Sequence, residues 1–251
     1  MPELTVGSCR LFYRISPKAD PDSLPVVCIH GAGGSSHVWH NQLSMPITGY
    51  APMALDLPGH ARSHGSGETS IQAYSKWIID FLRQLGCGQS VLVGHSMGGA
   101  ITLDVALTEP DMLKAIILVG TGARLRVTQE VLDQARKGAS LTEYAYTPET
   151  PLSVIQEAEK EFDLTSPDIR YNDFVACDGF DAMQRLSDIQ CPALVICGEQ
   201  DRLTPVKYSQ YLHRHIPGSR LEIIPQAGHM VMWEQAGACN RAIQDFVAKL
   251  V

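Results

Sequence analysis

Ser96 lies at the centre of Gly94–Gly98, a segment with the spacing Gly-x-Ser-x-Gly. An apolar run precedes the segment, and small apolar residues follow it. This context predicts a sharp turn from a buried strand into a helix, and the glycines leave room for it. Such a turn presents the serine hydroxyl at the N-terminus of the helix, where the helix dipole favours developing negative charge. The pattern therefore predicts a nucleophilic serine.

A serine hydroxyl is a weak nucleophile and needs a general base. Of the nine histidines, His229 is best placed, because it follows an apolar run and a turn at the end of a predicted strand. The acid that orients the histidine should lie between serine and histidine in the chain. Asp201, after another predicted strand, is the predicted acid, and Glu199 on the same loop is the alternative.

A glycine-rich segment, His30–Gly34, follows the apolar run Val26–Ile29. Glycines allow the backbone to turn back and direct an N–H group at a developing oxyanion. The backbone amides of Ala32 and Met97 are the predicted donors. His30 is expected to hold the loop through a side-chain hydrogen bond.

The pocket wall is predicted from side chains on these loops and on the helical stretch that follows residue 122. The predicted pocket residues are His30, Gly33, His95, Arg124, Tyr144, Phe174 and Met230. Further aromatic and methionine candidates are Tyr146, Tyr171, Phe180 and Met183. Arg124 and Arg126 could meet an anionic substrate, but solvation at the surface is the favoured interpretation of both.

These residues need a scaffold, and the chain alternates short apolar runs with longer amphipathic ones. Strands separated by helices predict an α/β fold with a mostly parallel sheet flanked by helices. The predicted strands are Cys9–Ile15 (an edge strand), Val26–Ile29, Ala51–Leu55, Ser90–Gly94, Ala115–Gly120, Ala193–Cys197 and Leu221–Ile224. The predicted helices are 71–85, capped by Ser70 and stopped by Gly86, a buried helix Met97–Leu107, and a C-terminal helix over 242–250.

No buried strand is visible between Gly122 and about Ser187. The segment instead has helix starts at Thr128, at Thr150-Pro151 and at Ser166-Pro167, and helix stops at Gly138 and Gly179. A connection this long predicts an inserted helical lid. The expected division is a core of residues 1–122 and 188–251 with a helical cap over residues 123–187.

Composition excludes several other classes of protein. The 251 residues carry a formal net charge of −7, which argues against a nucleic-acid partner. Every apolar run is too short to span a bilayer, and the N-terminal residues lack the features of a secretory signal. Seven scattered cysteines cannot all pair, so we expect reduced thiols and a cytoplasmic protein.

Two histidine pairs have spacings that metal ligands also show. They are His37-x-x-His40 and His60-x-x-x-His64, and both lie in predicted loops or turns. We therefore expect no metal site and no cofactor.

Five motifs together resemble the α/β-hydrolase family, in its esterase and carbon–carbon hydrolase branch with a helical cap. They are His30–Ser35, Asp56–Ser63, the Ser96 turn, Gly198–Pro205 and Ala227–Met230. The resemblance runs nearly end to end and implies the fold and a Ser-His-Asp triad. One departure is Ala61, where such proteins usually have glycine, so this turn must tolerate a Cβ atom.

Position 96 is serine, whereas similar epoxide hydrolases and haloalkane dehalogenases have a carboxylate there. Carbon–carbon hydrolases of the fold usually read Asn at position 95 and Gly-Pro in the first glycine loop, unlike this chain. We therefore predict a carboxylesterase-like serine hydrolase acting on an ester, lactone or thioester of a small, mostly apolar molecule. The alternatives are a carbon–carbon hydrolase, a slow-turnover ligand receptor and an inactive homologue, and a perhydrolase side reaction stays open. We expect a monomer or homodimer. Its expected binding partner is this small-molecule substrate, and no association with a membrane is expected.

Overall fold

The computed structural model describes residues 2–19, 23–45, 49–86, 88–139 and 142–250. Within these ranges, eight strands form one sheet in the order β1-β2-β4-β3-β5-β6-β7-β8. The strands are β1 Glu3–Val6, β2 Cys9–Ile15, β3 Leu24–Ile29, β4 Tyr50–Leu55, β5 Ser90–His95, β6 Leu113–Val119, β7 Ala193–Gly198 and β8 Arg220–Ile224. The β1–β2 and β2–β4 pairs are antiparallel, and all the others are parallel. The predicted α/β fold with a mostly parallel sheet is confirmed.

The prediction of β2 as an edge strand is wrong, because β1 lies outside it. Strand β1 is four residues long and only its last residue, Val6, is buried. Four residues are too few for the alternation of apolar and polar side chains to be recognised in the sequence.

Helices pack against this sheet and connect its strands. They are α1 His40–Leu43, α2 Ile71–Leu85, α3 Met97–Thr108, α4 Gln129–Arg136, α5 Thr142–Ala145, α6 Leu152–Phe162, α7 Pro167–Asp178, α8 Val206–His215, α9 Val231–Glu234 and α10 Ala236–Val247. Short 3₁₀ helices span Ser36–Trp39, Pro110–Met112 and Leu186–Asp188. None of the helices in the described ranges is long and apolar enough to cross a bilayer.

The predicted limits of α2 are confirmed. The Ser70 hydroxyl accepts a hydrogen bond from the amide of Ala73, which satisfies one of the free donors of the first turn. Gly86 ends the helix in the left-handed conformation, with φ of 67°.

Alternate residues of the central strands build two apolar layers, one on each face of the sheet. Val27 and Ile29 of β3 belong to the layer that contains α2 and α3. Val26 and Cys28 belong to the layer that contains α10. Six cysteines in the described ranges are free thiols, and Cys87 lies outside those ranges.

In the described residues between β6 and β7, the chain forms the α-helices α4 to α7 and the 3₁₀ helix Leu186–Asp188. The Thr128 and Ser166 hydroxyls cap α4 and α7 as predicted. Gly179 directly follows α7, and Gly138 follows the C-cap residue of α4, Lys137. The predicted cap at Thr150 is wrong. Pro151 occupies the cap position of α6, and the Thr150 hydroxyl donates instead to the Glu234 carboxylate, at 2.8 Å.

The parallel register brings the carboxyl ends of four strands to one edge of the sheet. Ile29 of β3 lies opposite Gly94 of β5, and Gly198 of β7 lies opposite Ile224 of β8. The loops that carry the predicted functional residues therefore start side by side, at the edge where α/β proteins form their sites.

Candidate active site

Ser96 lies in the tight turn between β5 and α3. Its φ of 52° and ψ of −115° are strained for a residue with a side chain. A Cβ atom at Gly94 would collide with the Gly98 carbonyl, which explains why this spacing requires glycine. The amide of Ser96 donates to the carbonyl of Val119 at 2.9 Å, which ties the strained turn to β6.

Asp201 and His229 meet at the carboxyl ends of β7 and β8. The Asp201 Oδ2 atom accepts a hydrogen bond from His229 Nδ1 at 2.9 Å, and both side chains are buried. The Thr204 hydroxyl also donates to Asp201 Oδ2, at 2.8 Å. Burial alone would raise the pKa of Asp201, but the neighbouring His229 and the hydrogen bonds from Thr204 hold this pKa below its usual value.

The structure brings Asp201, and not Glu199, to the histidine. Glu199 is exposed, and its backbone amide continues the sheet by donating to the Ile224 carbonyl at 2.9 Å. Thr204 was not among the residues predicted from the sequence. The signal for it was the spacing Asp-x-x-Thr, which suits a turn in which an aspartate accepts bonds from the following residues.

His95 supports the backbone of His229. Its Nε2 atom donates to the His229 carbonyl at 3.1 Å, and the two ring centroids lie 4.6 Å apart. Burial, reinforced by the neighbouring His229, lowers the pKa of His95 to about 3. His95 is therefore uncharged near neutral pH and acts on His229 as a hydrogen-bond donor.

The glycine-rich loop after β3 lies against the Ser96 turn. Within the described residues, neither the Ala32 amide nor the Met97 amide donates to a protein acceptor. Ala32 lines the cavity over Ser96, whereas Met97 directly follows Ser96 in the chain and is buried. His30 holds the loop as predicted. Its Nδ1 atom donates to the Gly31 carbonyl at 2.8 Å, and its Nε2 atom accepts from the Leu57 amide at 3.0 Å.

A cavity of about 140 Å³ opens over Ser96, and Ala32 and His229 also line it. Three of the predicted pocket residues line the cavity, namely His95, Phe174 and Met230, together with the further candidate Tyr146. The sequence analysis missed the lining residues Val38, Phe162, Leu203 and Trp233. The wall is therefore mostly apolar.

The predicted pocket is wrong at His30, Gly33, Arg124 and Tyr144, which do not line this cavity. His30 is fully buried beneath the loop, and the Gly33 amide is turned to Asp173 Oδ2, at 2.7 Å. Arg124 forms an ion pair with Asp181 at 3.6 Å. Tyr144 is 43% exposed.

Three further candidates also lie elsewhere. Phe180 is buried in the core, Met183 lines a separate surface groove, and the Arg136 guanidinium covers the Tyr171 ring at 4.2 Å. Arg126 donates to the Asp178 carbonyl at 2.9 Å, so neither predicted arginine reaches the cavity.

The histidines with metal-like spacing have other neighbours. The rings of His37 and His40 stack with centroids 5.0 Å apart, and His37 Nε2 lies 2.7 Å from the Glu157 carboxylate. His60 Nε2 contacts Asp173 Oδ2 at 2.8 Å. Ala61, next to it, takes a positive φ of 42°, so the turn tolerates the Cβ atom as expected.

Comparison with known proteins places this geometry in a family. Residues 25–236 match the family model described as alpha/beta hydrolase fold. The chain is 29% identical to (E)-2-((N-methylformamido)methylene)succinate hydrolase of Acinetobacter baylyi, over 88% of this chain and 89% of that protein. It is 26% identical to pimeloyl-[acyl-carrier protein] methyl ester esterase of Neisseria meningitidis, over 92% of this chain and 96% of that protein.

A solved structure of a thermophilic esterase is similar along nearly its whole length. It superposes with a TM-score of 0.86 and 32% identity, covering 99% of this chain and 97% of that one. These relatives are all hydrolases, and the family match spans most of the chain. The chain therefore belongs to the alpha/beta hydrolase fold family.

Proposed function

We propose that this hydrolase uses Ser96 to cleave a carboxylic ester, lactone or thioester of a small, mostly apolar molecule through an acyl-enzyme. One observation carries the proposal. His229 lines the same cavity as Ser96 at its strained turn, and Asp201 accepts a hydrogen bond from His229 at 2.9 Å. A nucleophile and a base in one cavity, with an orienting acid bonded to the base, are the parts that acyl transfer needs.

In the proposed reaction, His229 accepts the proton of the Ser96 hydroxyl as the oxygen attacks the substrate carbonyl. Asp201 keeps the imidazole in the tautomer with its proton on Nδ1 and stabilises the imidazolium that forms. The backbone amides of Ala32 and Met97, which have no protein acceptor in the described residues, donate to the oxyanion. His229 then protonates the leaving group, and water hydrolyses the acyl-enzyme by the same route.

The inserted helices supply part of the proposed pocket. We propose that residues 123–187 form a cap over the core, as the sequence predicts. Phe162 and Phe174, from α6 and α7, line the cavity together with the core residues Val38 and Trp233. An apolar wall with few polar groups suits a small apolar acyl or alcohol group.

The esterase relatives support ester cleavage. The carbon–carbon hydrolase and the ligand receptor stay as alternatives, because both can retain the same three residues. The proposed chemistry uses side chains and backbone amides alone, so it requires neither a metal nor a cofactor. The free thiols of the described cysteines fit the proposed location in the cytoplasm.

The test is the Ser96→Ala variant on p-nitrophenyl esters of graded chain length, with lactone, acyl-CoA and carbon–carbon substrates run beside them. We expect ester turnover to fall by roughly 10³-fold or more, because the three residues act as a unit. Folding should persist, since alanine is no larger than serine. Ser187→Ala, at an exposed serine, is the matched control and should keep full activity. Near-normal turnover in Ser96→Ala would exclude the proposed mechanism.

A further inference from the structure

The charged side chains that line the cavity over Ser96 are all acidic. Two carboxylates of α6, Glu159 and Glu161, line it, and no lysine or arginine is among its lining residues. Charged side chains in a mostly apolar cavity are costly unless they are paired or serve a ligand. The partners of each carboxylate therefore decide what the cavity can hold.

Glu161 is already neutralised by the protein. Its two carboxylate oxygens accept hydrogen bonds from Arg62 at 3.0 and 3.1 Å, in a bidentate pair. The Ser35 hydroxyl adds a bond of 2.9 Å. Burial would raise the pKa of Glu161, but the bonds from Arg62 and Ser35 lower it overall, so the group stays ionised and its charge stays balanced.

Glu159 has no such counter-charge. Its Oε1 atom accepts one bond, from the Thr142 hydroxyl at 3.2 Å, and it forms no ion pair within the part of the chain that the structure describes. The carboxylate lies near Tyr146, another lining residue. Burial raises the pKa of the Tyr146 hydroxyl, and the Glu234 and Glu159 carboxylates raise it further.

Within the described residues, no other charged group near the cavity forms an ion pair with Glu159. Arg170 stacks over the Phe162 ring at 4.3 Å but is not a lining residue. His95 is uncharged near neutral pH, because its pKa is lowered to about 3. The buried Asp201 adds a second negative group behind His229.

We propose that Glu159 selects substrates by charge, so that the cavity admits neutral or cationic esters and rejects esters with a carboxylate near α6. The inference rests on the proposed function and narrows its substrate class. A substrate carboxylate beside Glu159 would face a like charge that has no ion-pair partner in the described residues, whereas an ammonium group would gain a partner. The two predicted arginines, Arg124 and Arg126, lie outside the cavity and give an anion no compensation.

The experiment compares three groups of similar shape or size. One series consists of p-nitrophenyl esters whose acyl chain ends in trimethylammonium, tert-butyl or carboxylate. A second series of butyrate esters carries the same three groups on the alcohol. At low salt, we expect wild-type kcat/KM to be at least about tenfold lower for the anion than for the neutral ester in one of the series. Glu159→Gln removes the charge but keeps the acceptor for Thr142. In this variant, the ratio of kcat/KM for the cationic ester to kcat/KM for the anionic ester should fall about tenfold.

Glu157→Gln is the matched control, since it removes a carboxylate from the same helix outside the cavity. It should leave the ratio unchanged. In the wild type, the ratio should also fall as salt is added, which tests charge selection without a variant. If wild type and Glu159→Gln have equal ratios in both series while neutral esters are still cleaved, the role of Glu159 is overturned and the proposed hydrolase function is not affected. A wild type that cleaves no neutral ester would instead overturn the proposed function.

Discussion

The carboxylate of Asp201 accepts hydrogen bonds from four groups. Oδ1 accepts from the amides of Leu203 and Thr204, at 2.9 and 2.8 Å, and Oδ2 accepts from the Thr204 hydroxyl and His229. A carboxylate with all these acceptor sites in use cannot rotate freely. It therefore holds the His229 ring in one orientation, as a supporting group would preorganise the proposed base.

Asp201→Asn should lower kcat by about 10³–10⁴-fold while leaving the fold intact, because asparagine keeps the shape and loses the charge that selects the tautomer of His229. Steady-state kinetics on an ester that the wild type cleaves well would measure the loss. Glu199→Gln is the control on the same loop, and its effect should stay within about tenfold. Greater damage from Glu199→Gln than from Asp201→Asn would mean that the acid is Glu199.

At the scale of elements, one carboxylate of α7 joins the inserted helices to the core. The fully buried Asp173 accepts hydrogen bonds from the Gly33 amide at 2.7 Å, from His60 Nε2 at 2.8 Å and from the Tyr74 hydroxyl at 2.6 Å. These partners lie on the loop after β3, on the loop after β4 and on α2. Because Gly33 directly follows Ala32, the same bond also fixes the loop that carries a proposed oxyanion donor.

Asp173→Ala should lower the free energy of unfolding by about 3–5 kcal/mol, because it leaves three buried donors without their acceptor. Denaturant titration would measure the change. Asp168→Ala, at an exposed position in the first turn of α7, should cost less than about 1 kcal/mol. Equal losses in the two variants would show that Asp173 does not hold the inserted helices to the core.

At the scale of the whole molecule, the buried histidines link stability to pH. Burial lowers the pKa of His30 and His95, so both stay neutral when folded and take up a proton on unfolding below about pH 6.5. The pKa of His60 shifts in the opposite direction, so its contribution to stability depends on pH in the opposite sense. Burial would lower its pKa, but Asp173 raises it overall, so its stabilisation is complete below about pH 6.5 and declines as pH rises through the raised value.

The free energy of unfolding should therefore fall as pH drops from about 6.5 toward 3, by about 1.4 kcal/mol per pH unit for each buried neutral histidine. His95→Gln removes one such group and can still donate to the His229 carbonyl. The difference in stability between wild type and His95→Gln at pH 8 gives the baseline. Below pH 6.5 this difference should shift in favour of the variant, and a constant difference down to pH 4 would contradict the argument.

The sequence by itself determined the fold class, the central strands and the loops that carry Ser96, Asp201 and His229. These features are local, since an apolar run followed by glycines or turn residues encodes both a buried strand and the sharp exit from it. The cap at Ser70 and the stop at Gly86 were predictable for the same reason. The catalytic roles of the three residues stay a prediction, and the variants above test them.

Only the tertiary structure decided which residues line the cavity and which of its charged side chains form ion pairs. Phe162 and Tyr144 are both aromatic residues of the inserted helices, yet Phe162 lines the cavity and Tyr144 faces solvent. Likewise, Arg62 neutralises Glu161 from 99 positions away in the chain and leaves Glu159 unmatched. An amphipathic pattern specifies that a helix has an apolar face, but which residues that face meets depends on packing between segments distant in sequence.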